Sequence, residues 1–139
     1  MVERSDIERA VQAIYQARDG NDLDGLMALT HPDCGFRIVG SDRLGQMTQR
    51  AAGPESLRGT LGALMGIWDF SGLRTISVHI DGNTAFVHRS GPVRFVPADR
   101  TIETEIVDKL TFRDGALVEI EEFIDTLQAA EIAGLVEFA

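Results

Sequence analysis

Two alternations face each other across a turn late in the chain. From Thr101 to Phe112 one parity reads Ile102, Thr104, Ile106, Asp108, Leu110, Phe112, and the other Thr101, Glu103, Glu105, Val107, Lys109, Thr111. Side chains alternate across a strand, so the first set is a core face and the second a mostly wet one. After Asp114-Gly115, one parity reads Val118, Ile120, Glu122, Ile124 and the other Leu117, Glu119, Glu121, Phe123. An Asp-Gly turn between alternating segments predicts a hairpin. Upstream, Leu73 to Ile80 turns at Asp81-Gly82-Asn83 into Thr84 to Ser90. Gly91-Pro92 then predicts a bulge or bend before Val93 to Val96, and Pro97-Ala98-Asp99 turns into the first of the paired strands.

The first half runs on a helical period. Ser5 and Glu8 fit a capping box ahead of the stripe Ile7, Ala10, Val11, Ile14, and Gly20 ends that helix. Asp22 opens a shorter helix with Leu23, Leu26, Met27 and Thr30, stopped by His31-Pro32. Cys34 to Val39 reads as a brief strand. Gly40 to Gly53 has no clear period, the mark of a lid or binding loop that would shape any pocket. Pro54 starts a third helix with Leu57, Leu61, Leu64, Met65 and Trp68 on its buried side. Gly59, Gly62 and Gly66 share one flank, at about 0.8 to 1 kcal/mol each relative to Ala, which predicts close approach by another backbone. Asp125 caps a last helix, Thr126 to Val136. Helices followed by a strand meander make an α+β domain over 1–139. A strongly curved sheet wrapped around the N-terminal helices leaves a cone with one open end.

Composition narrows the class. With 139 residues, 44% hydrophobic and 25% charged, the chain fits one soluble globular domain. A formal charge of -9 argues against nucleic acid or an anionic membrane surface as partner. No apolar run reaches the length of a membrane span, and the charged start, Val2 to Arg9, is not a signal peptide. A lone Cys34 fits a reducing, cytoplasmic setting.

Candidate chemistry lies in the two acids that interrupt the apolar parities. Asp108 and Glu122 belong to core faces, and a buried carboxylate is costly unless paired, bonded or protonated. Two on one inner face predict a pocket with acid-base chemistry; a one-residue register error or a bulge would instead put one of them in water. His31, Asp33 and Cys34 lie close together, but Pro32 intervenes and Cys34 reads as a small buried filler. His79 is a solvated strand residue. His88 shares a face with Phe86, Arg89 with Val87, and one of the two faces points inward. The histidines lack short ligand spacing, so no metal site is expected.

These residues carry a resemblance. Val11-Gln12, Asp22-Leu23-Asp24-Gly25-Leu26 and Ala28-Leu29 resemble the opening of the ketosteroid isomerases. Val107-Asp108, Phe112, Asp114-Gly115 and Asp125-Thr126 resemble the ending shared across the NTF2-like, SnoaL-like superfamily, and the likeness runs from about Ile7 to Leu135. It implies a cone-shaped fold and leaves the function open, because this superfamily hosts isomerases, cyclases, hydrolases, dehydratases and noncatalytic modules. Asp108 matches the protonated oxyanion-hole aspartic acid of the steroid isomerases. Their tyrosine position falls on Ile14, one residue before Tyr15, and their general-base position on Ile38, which argues against steroid isomerisation. Limonene epoxide hydrolase is similar at Asp108 and at Glu122, where it has an aspartate, but its intervening arginine would fall at Ile106. The SnoaL-like polyketide cyclases also place an acid-base carboxylate near Glu122.

Two functions follow from the sequence. In one, Asp108 and Glu122 are catalytic in a small enzyme without cofactor, acting on a small apolar molecule by isomerisation, ring closure or epoxide hydrolysis. The expected pocket wall is Ile14, Tyr15, Phe36, Ile38, Trp68, Phe86, His88, Ile106, Leu110 and Ile120; Tyr15 also packs between helices. In the other, Ile14, Ile38 and Ile106 fill the cone, and the domain binds a ligand or dimerises without catalysis. Leu117, Phe123 and Val107 on the outer sheet face predict a homodimer.

Overall fold

The computed structural model describes residues 3–137; Val2, counted in the charged start, lies outside them. Helix α1 (Arg4–Asp19) turns Ile7, Val11, Ile14, Tyr15 and Ala17 inward. Its cap is Glu3 rather than Ser5, with the Asp6 carboxylate accepting from the Glu3 N–H at 3.2 Å. Ser5 is already helical, so its side chain cannot take the capping position. Helix α2 (Leu23–Met27) is a single turn, capped by Asp22 through the Gly25 N–H at 2.9 Å. It stops before Thr30, which opens strand β1 (Thr30–Ile38). His31-Pro32 thus lies inside a strand, at its irregular start. Nothing local shows this, because the partner of Thr30 is Leu117, far along the chain.

A 3-10 segment (Asp42–Thr48), broken at Gly45 with φ 63°, and the two-residue strand β2 (Ala51–Ala52) occupy the predicted loop. Helix α3 (Pro54–Ile67) follows, with Leu57, Leu61 and Met65 buried. No backbone approaches its glycine flank. A Cβ at Gly59 or Gly66 would meet nothing within 4 Å, and one at Gly62 would meet only Leu23 Cδ2, at 3.1 Å.

Strands β3 (Trp68–Asp69), β4 (Arg74–Asp81), β5 (Thr84–Phe95), β6 (Arg100–Arg113) and β7 (Ala116–Phe123) complete a seven-stranded, strongly curled sheet. Its order is β2-β1-β7-β6-β5-β3, with β4 also paired to β5. Every pairing is antiparallel except β1 with β7. The β6–β7 hairpin turns through Asp114 and Gly115, both at positive φ, as a tight hairpin turn requires.

Gly91-Pro92 makes no bulge: β5 runs unbroken, its register with β6 continuous from Thr84 to Phe95. Gly91 is needed because the Gly72 carbonyl oxygen lies 2.6 Å from where its Cβ would stand. Pro92 lies where β5 has left β4 and not yet met β3, a place that tolerates a missing N–H. Bulges lie in β4, where Ile76 is the extra residue between Thr75 opposite Arg89 and Ser77 opposite His88, and in β7. Leu117 opposes Phe112 and Glu119 opposes Thr111, so Val118 is the extra residue. Leu117 therefore enters the core and is fully buried, rather than standing on the outer face.

Helix α4 (Thr126–Ile132) is capped by Asp125 through the Gln128 N–H at 2.9 Å. It ends before Val136, where Gly134 takes φ 80°. No helix among the described residues is long and apolar enough to cross a membrane.

Candidate active site

The helices pack on the concave side of the sheet and leave a narrow cavity of about 90 Å³ there. Its wall is apolar, with Ile14, Phe36, Ile38, Trp68, Ile106, Leu110 and Ile120 among its residues. Tyr15, Arg18, Asp108 and Glu122 bring chemistry to it, and Thr104, Asp125 and Gln128 add further polar groups to the wall. Asp108 and Glu122 are register partners across β6 and β7, and Ile38 is the register partner of Glu122 on β1. The three form one row on the concave face. The β7 bulge lies upstream of that row, so the parity of Ile120 and Glu122 is the one the sequence suggests.

Asp108 is 3% exposed. Its Oδ2 accepts from the Tyr15 hydroxyl at 2.6 Å, whereas its Oδ1 has no N–H or hydroxyl donor among the described residues. The neighbouring group on β7 is the Glu122 carboxyl, its register partner, and a proton between the two would satisfy that oxygen. Burial raises the pKa of Asp108; hydrogen bonds to Glu122 and Tyr15 and the charges of Arg89 and Arg18 oppose the rise. Burial pushes Glu122 well above the usual glutamate value, and the adjacent Asp108 pushes it further. Two adjacent carboxyls whose affinities for a proton are both raised titrate as a unit. Burial, then Asp108, pushes the Tyr15 phenol well above its ordinary value, so it stays a donor.

Two arginines stand behind these acids. Arg89, 2% exposed, forms a two-pronged pair with Asp19 at 2.9 and 2.6 Å and also donates to the Leu73 carbonyl at 3.1 Å. Its guanidinium lies 4.4 Å from the Tyr15 ring centroid, fixing the ring from behind. Arg18 borders the cavity itself, lies 3.9 Å over the Phe70 ring and donates to the Trp68 carbonyl at 2.8 Å.

Several sequence expectations are corrected here. His88 and Phe86 point away from the cavity, because β5 sends Ala85, Val87 and Arg89 inward. Phe86 is 39% exposed, and His88 pairs with Glu105 at 2.9 Å on the outer face. The Gly40–Gly53 segment contributes nothing to the cavity wall; Asp125, Gln128 and Ala129 at α4 border it instead. Gln128 holds α4 there by donating to the Glu103 carbonyl at 2.9 Å. Tyr15 is more than a packed ring, since its hydroxyl meets Asp108 although the resemblance assigns the tyrosine position to Ile14. Two other readings agree with the structure: Cys34 is fully buried, with its thiol pushed up to about 12 by burial, and His79 is exposed. No group of three His, Cys, Asp or Glu among the described residues could hold a metal ion.

Sequence reasoning missed Arg18 and the Arg89–Asp19 pair. A signal for Arg18 existed: it continues the spacing Ile7, Val11, Ile14 on the inward stripe of α1.

Residues 11–120 match the family model of the SnoaL-like domain. No functionally curated protein matches the chain. Among solved structures, an NTF2-like protein of unknown function from Burkholderia pseudomallei has a TM-score of 0.79 at 18% identity, over 91% of this chain and 95% of its own. TerC, co-crystallised with polyporic acid, has 0.76 at 21% identity, over 93% and 98%. An LEH-like epoxide hydrolase of M. tuberculosis has 0.69 at 16% identity, over 94% and 97%. At such identities these structures establish the fold alone: helices against a curled sheet, the NTF2-like cone. On the extent of the family match, the chain belongs to the SnoaL-like family.

Proposed function

We propose that this protein is a small-molecule enzyme that relocates a proton on an apolar substrate held in the cone. The observation that carries this reading is the Asp108–Glu122 pair, side by side at the cavity wall with Tyr15 donating to one end. In the resting pair, Glu122 holds the proton and Asp108 the charge. Glu122 gives its proton to a developing oxygen anion of the substrate while Asp108 removes one from carbon or from water, so the pair ends with one proton as it began. Tyr15 steadies Asp108 in its charged form, and the apolar walls strengthen both interactions. Double-bond isomerisation, ring closure and epoxide opening all fit this equipment. The epoxide hydrolase among the structural neighbours and the neighbour crystallised with polyporic acid support a small organic substrate.

Steroids do not fit the site. Ile38 supplies no base, and the cavity is smaller than the ~150 Å³ apolar cavity known to admit benzene, so a large ligand enters only if side chains give way. That narrowness is also the observation favouring the second reading, a ligand-binding or dimerising module whose cone Ile14, Ile38 and Ile106 largely close.

Turnover of small terpene epoxides and β,γ-unsaturated ketones separates the two. We expect conversion of at least one class by the parent, reduced about a hundredfold or more by Asp108→Asn and by Glu122→Gln. Absence of turnover with small ligands still bound would establish the module. A homodimer through the outer sheet face is part of the proposal.

A further inference from the structure

We propose that Arg18 makes this cavity an acceptor of organic anions, and that its ligand is a small flat apolar molecule carrying one acidic oxygen. This names a substrate class for the site and rests on the reading that the cavity takes a small molecule. The two inward arginines are in different situations. Arg89 is neutralised, since Asp19 grips it with two hydrogen bonds and the Leu73 carbonyl and Thr75 hydroxyl take further donors. Arg18 has the Trp68 carbonyl and the face of Phe70, and none of the salt bridges among the described residues includes it. It nevertheless lines the cavity beside apolar side chains, where an unpaired cation is costly. Arg18 is half-buried; burial lowers its pKa, and Glu122, Asp19, Asp108 and Asp69 oppose that shift.

A guanidinium with donors left over recognises a planar oxygen anion by paired N–H bonds, which a neutral isostere cannot match. Trp68, Phe70, Val93 and Ile102 supply flat and aliphatic surface for the body of the ligand.

Trp68 is the one tryptophan of the chain and borders the cavity, so its emission reports occupancy. Crotonate and crotonamide are flat four-carbon probes of nearly equal shape that differ in charge. In titrations at matched ionic strength, crotonate should bind the parent at least about tenfold more tightly than crotonamide. Arg18→Met should abolish that preference, and Arg18→Lys should keep part of it. Equal affinities in the parent, a preference that survives Arg18→Met, or no response to either probe would overturn the proposal. If Arg18→Met does not fold, the comparison on the parent decides alone. The result is independent of catalysis: anion preference without turnover of any substrate would remove the enzymatic reading and leave this one standing.

Discussion

The two oxygens of Asp108 differ, one receiving the Tyr15 hydroxyl and the other buried without a donor beside its register partner Glu122. Asparagine can serve both, with its carbonyl accepting from Tyr15 and its amide donating to Glu122. Asp108→Asn should therefore melt at or above the parent's temperature near pH 7, while losing any activity that needs its charge. Destabilisation by more than about 2 kcal/mol would mean that Asp108 is an ionised structural anchor, and the module reading would gain. Glu122 makes a complementary prediction. Its folded pKa lies well above the ordinary 4.5, so the folded chain holds that proton more tightly than the unfolded one. The stability it contributes is complete below that value and is lost as pH rises through the raised folded value, at up to about 1.4 kcal/mol per pH unit. Denaturant melts across that range should show a decline that Glu122→Gln flattens; identical pH profiles would place the resting proton elsewhere.

Among the elements, α3 and β5 use glycine for opposite reasons. Gly59 is exposed in mid-helix with open space around its missing Cβ. Gly59→Ala should stabilise the protein by about 0.8 to 1 kcal/mol, read as a higher denaturation midpoint. Gly91 sits at φ 142° against the Gly72 carbonyl, where a Cβ cannot stand. Gly91→Ala should cost more than about 2 kcal/mol or force β5 away from the Gly72 turn. Should the two alanine variants behave alike, Gly91 is not pressed against the Gly72 carbonyl.

At the scale of the whole molecule, the outer face of the sheet is mixed rather than greasy. Phe86 and Phe123, 39% and 44% exposed, stand among the ion pairs of Arg37 and Lys109 with Glu121. Such a face suits a partner surface of the same kind, apolar centre against charged surround, which a two-fold dimer provides. Light scattering should give about twice the chain mass for the parent, and Phe123→Glu should shift it toward the monomer without altering the cavity. A monomeric parent at all concentrations would remove the dimer from the proposal.

Much of this architecture is local in origin and therefore legible in the chain. The β6–β7 hairpin, the two acids on its concave face and the stripe of α1 all follow from period, turn chemistry and the opposite demands of water and core. The contents of the cavity were only partly legible. That Tyr15 meets Asp108 and that Arg18 reaches the cavity depend on how α1 lies across the sheet, and that Arg89 rather than His88 turns inward depends on the pairing of β5 with β6. No spacing along one element encodes the angle between two. The parallel pairing of β1 with β7 is of the same kind, since its partners are far apart in sequence and meet only when the sheet curls. Even the bulge at Val118, a single residue, was decided by tertiary packing: it lets Leu117 fill the core while leaving Glu122 beside Asp108. The sequence alone determined which residues could carry chemistry; folding decided which of them meet, because contact between elements is set by packing in three dimensions.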